Sequence, residues 1–233
     1  MTPPPVPIKR QYVNFGFYKV DPAWRRLPAA EREAGKAEFL NAYRSFSSKL
    51  MVLPYSTFGL RADTDFLFWR ISYVLEDFEA MSAALHKTAL GKYLSTPHSF
   101  LAMTKRSTYV DKLNPEHEGL RTHIVPGKHK YLFIYPFLKT REWYLLPLET
   151  RQKMMDHHIQ VGTKFPSVKL NTTYSFGLDD QEFVVAFETD APGDFLDLVM
   201  ALRETEGSRY TLRDTPIFTC LHKSMEEILE TVA

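Results

Sequence analysis

Cysteine is nearly absent: the 233-residue chain holds one, Cys220. A lone thiol builds neither an intrachain disulfide nor a multi-thiolate metal centre. With no Cys-x-x-Cys-His run, a thioether-linked c-type cofactor is also excluded. Long apolar runs are missing, so nothing in the sequence has the length of a membrane-spanning helix. The opening Met1-Thr2-Pro3-Pro4-Pro5 lacks an apolar core of signal-peptide length, and a cytoplasmic location is expected. An excess of charge of either sign is lacking too. Lys plus Arg is 29 against 28 for Asp plus Glu, a net charge of +1, which argues against nucleic acid or an anionic membrane as a bulk partner.

What is there suits a large soluble core. Apolar residues make up 44% and charged residues 24%, and aromatics are plentiful at 14%. The length fits one large domain or two of about 110 residues.

The strongest organising signal is internal. Residues 58–78 read FGLRADTDFLFWRISYVLEDF and residues 176–195 read FGLDDQEFVVAFETDAPGDF. Phe-Gly-Leu opens both, and Phe66 and Phe183 each lie twelve residues before the Phe of an Asp-Phe pair, Phe78 and Phe195. One module is used twice. In the first copy, Tyr12–Val20 reads as a strand and about 27–50 as a helix. Strands are expected over 51–61 and Phe66–Tyr73, a helix over about 76–94 and a closing strand over about 101–110. Phe66, Phe68 and Arg70 alternate with Leu67, Trp69 and Ile71, as on the two faces of a strand. In the second copy, strands are expected at Tyr131–Leu138, about 168–178, 181–189 and 216–222. Helices are expected at about 147–165 and 192–209, the latter opened by Pro192. The order is β-α-β-β-α-β twice. The expected fold is therefore α+β, two tandem ferredoxin-like repeats packed as a dimeric α+β barrel. Residues 1–112 and 130–233 form the repeats, and 113–129, within the polar stretch Asp111–His129, forms the linker.

Of eight histidines, His157 and His158 sit in a helical stretch, ETRQKMMDHHIQVGTKF. Met154, His158, Val161 and Phe165 step by four, three and four along one apolar stripe. Lys153, His157, Gln160 and Lys164 line the neighbouring polar face. His158 thus points inward, either as a core histidine or as a ligand facing an apolar cavity. No His-x-x-x-His or Glu-x-x-His pattern accompanies it, which argues against zinc and di-iron sites.

Between Tyr131 and Phe187 four stretches stand together. They are Tyr135-Pro136-Phe137-Leu138-Lys139, Glu142-Trp143-Tyr144 with Leu146-Pro147, the helix bearing His158 and Gly162, and Asn171 to Phe183. In combination they resemble the chlorite dismutase family of haem proteins, which includes the coproheme decarboxylases. The double repeat is that family's architecture as well.

The resemblance implies a haem-dependent oxidoreductase. It implies His158 as the iron ligand, with Glu182 or a nearby acid holding its other ring nitrogen. Chlorite dismutases resemble one another in a distal arginine whose place here falls on Leu170, a side chain unable to bind an oxyanion. Coproheme decarboxylases resemble one another in a radical-forming tyrosine, which falls on Tyr135. Lys139 matches a cation that holds propionate, and Trp143 an aromatic beside it. Each of the three also has an ordinary structural role open to it, as core tyrosine, solvated strand end and packing residue. Arg209 is a further cation expected near the pocket or, alternatively, at a helix C-terminus. A linker histidine is implied as distal base, with His117 preferred to His123 and His129.

The implied reaction converts iron coproporphyrin III, both cofactor and substrate, to haem b. Hydrogen peroxide drives oxidative decarboxylation of two propionates through a tyrosyl radical. A homopentamer and a ferrochelatase that supplies coproheme are implied as partners. Rival functions are a haem-binding sensor or carrier, and a chlorite dismutase or peroxidase-like enzyme.

Overall fold

The computed structural model describes residues 9–109, 123–127 and 129–232. The first repeat runs β1 (Tyr12–Val20), α1 (Ala29–Arg44), β2 (Met51–Ser56), β3 (Phe66–Ser72), α2 (Glu76–Lys87) and β4 (Leu94–Met103). The second runs β5 (Tyr131–Lys139), α3 (Arg141–Leu145), α4 (Leu148–Gly162), β6 (Lys169–Tyr174), β7 (Phe183–Thr189), α5 (Pro192–Arg203), β8 (Thr211–Arg213) and β9 (Phe218–His222). A last helix, α6 (Met225–Val232), follows.

Each repeat has the ferredoxin-like strand arrangement. The order is β4-β1-β3-β2 in the first and β6-β7-β5-β9 in the second, all pairs antiparallel. The halves meet at β2 with β9, through Tyr55 opposite His222, and at β4 with β6, through Met103 opposite Tyr174. One nine-stranded sheet results, and its pairings return on themselves. Where a barrel is expected from the sequence, the return at β4 and β6 rests on that single register pair. The repeat is visible in the backbone. The Phe-Gly-Leu turns place Gly59 at φ +77° and Gly177 at φ +71°, the left-handed region that a Cβ disfavours.

Alternation assigns the two faces. Val13, Phe15 and Phe17 of β1 and Leu67, Trp69 and Ile71 of β3 share one buried cluster with Leu132, Ile134, Val184, Ala186, Phe218 and Cys220 of the second repeat. Both repeats therefore contribute to a common core on one face. The other face carries the helices, and here the halves differ. Under α1, α2 and α6 a dense cluster includes Phe66, Phe68, Phe39, Met81, Leu85 and Ile228, and all of β3 is buried. In the second half the helix-side cluster is smaller, with Phe133, Tyr135, Phe187, Phe195 and Leu198 as its buried members among the described residues.

Several elements depart from expectation. β4 covers Leu94–Met103 instead of 101–110, because its outer residues are exposed and give no apolar signal. α2 and α5 end earlier than expected, at Lys87 and Arg203, and 3-10 turns at Leu90–Tyr93 and Glu206–Tyr210 follow them. α3, β8 and α6 were unforeseen.

Candidate functional site

The helix-side face of β6, β7 and β5 is a grid set by register. Leu170, Phe187 and Phe133 form one row, Thr172, Val185 and Tyr135 the next, and Tyr174, Phe183 and Phe137 the third. Phe187 and Phe133 are buried, but Val185, Phe183, Phe137 and Thr172 are only half-buried, and Leu170 is 50% exposed. The corresponding strand of the first repeat is closed over its whole length. The helix side of β7 and β5 is thus less completely covered than that of β3 in the first repeat.

α4 borders this face. Pro147 precedes its first turn, and its buried stripe is Met154 and Val161, with His158 and Phe165 half-buried beside them. Lys153, His157, Gln160 and Lys164 are exposed, as the periodicity requires. His158 makes no hydrogen bond to a described residue. Burial, followed by the charges of Lys139 and His157, pushes its pKa down to about 4. At neutral pH the imidazole is therefore uncharged, with a lone pair to offer.

β5 carries the other two groups. The Tyr135 ring stacks on Phe187, with centroids 6.0 Å apart, and is 9% exposed. Burial raises its pKa well above the usual phenol range, and Asp214 adds to the effect, so the phenol keeps its proton. Lys139, at the strand end, donates from Nζ to the Gly207 carbonyl at 2.7 Å. Its ammonium lies 4.7 Å from the centroid of the Trp143 ring. Burial lowers its pKa to about 8 despite the opposing charge of Glu182. Trp143 itself is buried, between the rings of Tyr109 and Tyr210.

A sequence profile of the chlorite dismutase family matches residues 32–223. A coproheme decarboxylase of Mycolicibacterium smegmatis is 32% identical over 221 residues, covering 94% of this chain and 93% of its own. A chlorite dismutase of Ideonella dechloratans is 27% identical, covering 95% and 80%. Among solved structures, a mutant chlorite dismutase from Candidatus Nitrospira defluvii superimposes with a TM-score of 0.88 at 29% identity, covering 95% of each chain.

The chain belongs to the chlorite dismutase family.

The grid on β5–β7 and the inward stripe of α4 are the parts of this family member that bring the expected residues together. Tyr135, Lys139, Trp143 and His158 all belong to the second repeat: Tyr135 stands in the grid, Lys139 lies over the Phe137 and Trp143 rings, and His158 on α4 is within electrostatic reach of Lys139. Other expectations are corrected. Glu182, suggested as the partner of His158, is engaged elsewhere: its Oε2 accepts from the Lys139 backbone N–H at 2.8 Å and from the Tyr144 hydroxyl. Asp65 has the same place in the first repeat, where it accepts from Val20 N–H at 2.9 Å and from the Lys19 ammonium. Each acid ties the end of its repeat's first strand to the start of the third. Arg209 lies beyond the end of α5, in the 3-10 turn, with an exposed side chain.

The linker histidines divide. His117 lies outside the described residues. His123 packs near the Tyr73 ring, and His129 is paired with Asp190 at 3.1 Å. α4 carries one further cation, not singled out from the sequence. Arg151 is half-buried on α4, seven residues before His158 and hence on the same helical face. That spacing is visible in the sequence, but the lack of an acid partner among the described residues is not.

Proposed function

We propose that this chain is a coproheme decarboxylase, converting iron coproporphyrin III to haem b with hydrogen peroxide. The observation that carries this is the grouping of an uncharged His158, a buried protonated Tyr135 and a desolvated Lys139 around one incompletely covered apolar face. The 32% identity to a coproheme decarboxylase supports it.

The residues present fit a flat, acidic tetrapyrrole. Phe137, Phe183 and Val185 offer half-buried apolar surface to a macrocycle. His158 offers a neutral nitrogen for the iron, and Lys139 a cation for a propionate, with Trp143 beside it. The bound iron porphyrin supplies peroxide activation and the two propionates that react.

The protein's own contribution is specific. Low dielectric around His158 holds it deprotonated, so no proton has to leave before it binds metal. Stacking on Phe187 fixes the Tyr135 ring. Its raised pKa keeps the O–H intact until the tyrosine is oxidised and loses electron and proton together. The tyrosyl oxygen then takes a hydrogen atom from the β-carbon of a propionate. The second electron passes to the peroxide-oxidised iron porphyrin as carbon dioxide leaves and a vinyl group forms, and a second peroxide serves the second propionate. Proton exchange with peroxide is assigned to His117 by resemblance.

Chlorite chemistry is the second reading, favoured by the likeness to chlorite dismutases. The apolar, half-exposed Leu170 on the open face opposes it, since it supplies no donor to an oxyanion. A cytoplasmic homo-oligomer fed by a ferrochelatase accompanies the proposal. Tyr135→Phe tests the mechanism: it abolishes decarboxylation and spares tetrapyrrole binding. Surviving turnover would contradict the role given to Tyr135.

A further inference from the structure

Arg151 is a cation in an unfavourable place. It is the fourth residue of α4, at the positively polarised end of the helix, where charge of its sign is disfavoured. It is half-buried, and its Nε–H is buried with no partner among the described residues. Its one side-chain hydrogen bond among the described residues is long, from Nη1 to the Tyr109 hydroxyl at 3.5 Å. The acid nearest in sequence, Glu149, is paired with Lys153 at 2.9 Å. An Nε–H shielded from water and left unpaired costs free energy, and a buried unsatisfied donor needs a physical reason.

The surroundings supply that reason. Arg151 shares its helical face with His158, two turns and about 10 Å away along the axis. Tyr109 lies against Trp143, with ring centroids 6.2 Å apart, and Lys139 sits over the same Trp143 ring at 4.7 Å. Two cations therefore flank one aromatic pair. Lys139 donates to a neutral carbonyl, and Arg151 has no acid partner among the described residues.

We infer that Arg151 is a substrate-binding residue that takes a carboxylate of the tetrapyrrole, forming with Lys139 the cationic edge of the site. The inference rests on the tetrapyrrole reading above. The planar guanidinium offers Nε–H and a terminal N–H as a fork that matches a carboxylate, which an ammonium cannot do. Binding would satisfy the orphan donor, balance the charge and place the anion at the helix N-terminal turn, where the dipole favours it.

The test uses fluorescence quenching of metal-free coproporphyrin III, with four carboxylates, and of its tetramethyl ester, with none. Full-length wild type, Arg151→Gln and Arg151→Lys are titrated, and thermal melts check each protein's fold. Arg151→Gln weakens coproporphyrin binding by about tenfold or more. Arg151→Lys restores part of it, and the ester binds all three alike. Unchanged coproporphyrin binding by Arg151→Gln overturns the inference, as does an equal loss for acid and ester. Arg151→Met replaces Arg151→Gln if the latter does not fold. Loss of fold in both makes Arg151 a structural cation and also overturns the inference. If wild type binds neither porphyrin, the failure lies in the tetrapyrrole reading itself.

Discussion

His158 and Lys139 show how burial acts on two bases in the same direction. Both prefer to lose a proton, His158 with its pKa near 4 and Lys139 with its pKa near 8. For His158 the gain is a free lone pair. His158→Ala should therefore abolish the absorption change seen when haemin is added; an unchanged Soret spectrum would remove His158 as ligand. For Lys139 the sign of the stability effect follows from linkage. Between about pH 8 and the ordinary lysine value of 10.5, the unfolded chain holds a proton that the folded chain does not. Stability from this group therefore rises with pH across that window. Lys139→Met should flatten the rise, which urea titrations at pH 8 and pH 10 would measure. A slope equal to wild type would contradict the burial assigned to Lys139.

At the scale of elements, the two repeats differ in how completely their helices cover the sheet. β3 is buried end to end and its Phe68 is fully enclosed, whereas Val185 of β7 is half-buried. Phe68→Ala should cost about 3–5 kcal/mol of unfolding free energy. Val185→Ala should cost less than about 1.5 kcal/mol, since its side chain keeps much of its exposure. Denaturant unfolding of the two variants tests this, and equal losses would mean that the second face is packed as densely as the first. The same contrast explains what could be read from the sequence. Phe66, Phe68 and Arg70 against Leu67, Trp69 and Ile71 were legible because a strand buried on both faces still alternates in side-chain direction. The stripe through Met154, His158 and Val161 was legible because a half-buried helix keeps its period. β4 was misplaced because Ser95, Thr96 and Pro97 are exposed and carry no apolar alternation. α6 buries Met225, Ile228, Leu229 and Val232 at helical spacing, so its signal is present in the sequence.

At the scale of the molecule, duplication divides the labour. The first repeat spends its helix-side face on packing. Its Arg70 is buried and satisfied by Asn14, Ser82 and the Phe78 carbonyl. The second repeat leaves Val185, Phe183 and Phe137 of that face half-buried, and the proposed site gathers His158, Tyr135, Lys139 and Arg151 around it. The repeat itself was legible from Phe58-Gly59-Leu60 and Phe176-Gly177-Leu178, because both glycines serve a positive φ. The true duty of Glu182 was not legible. It depends on which backbone N–H lies opposite, and that is fixed only when β5 and β7 pair. The pairing of His129 with Asp190 was hidden in the same way, since 61 residues separate them.

In the proposed function these residues act on a tetrapyrrole carrying propionates. The most direct measurement mixes the purified protein with iron coproporphyrin III, adds hydrogen peroxide in steps and follows the porphyrin by mass spectrometry. Stepwise loss of two carboxyl groups, ending at haem b, is the predicted result. Tight binding with no change in mass would contradict the decarboxylase assignment and point to a haem carrier or sensor.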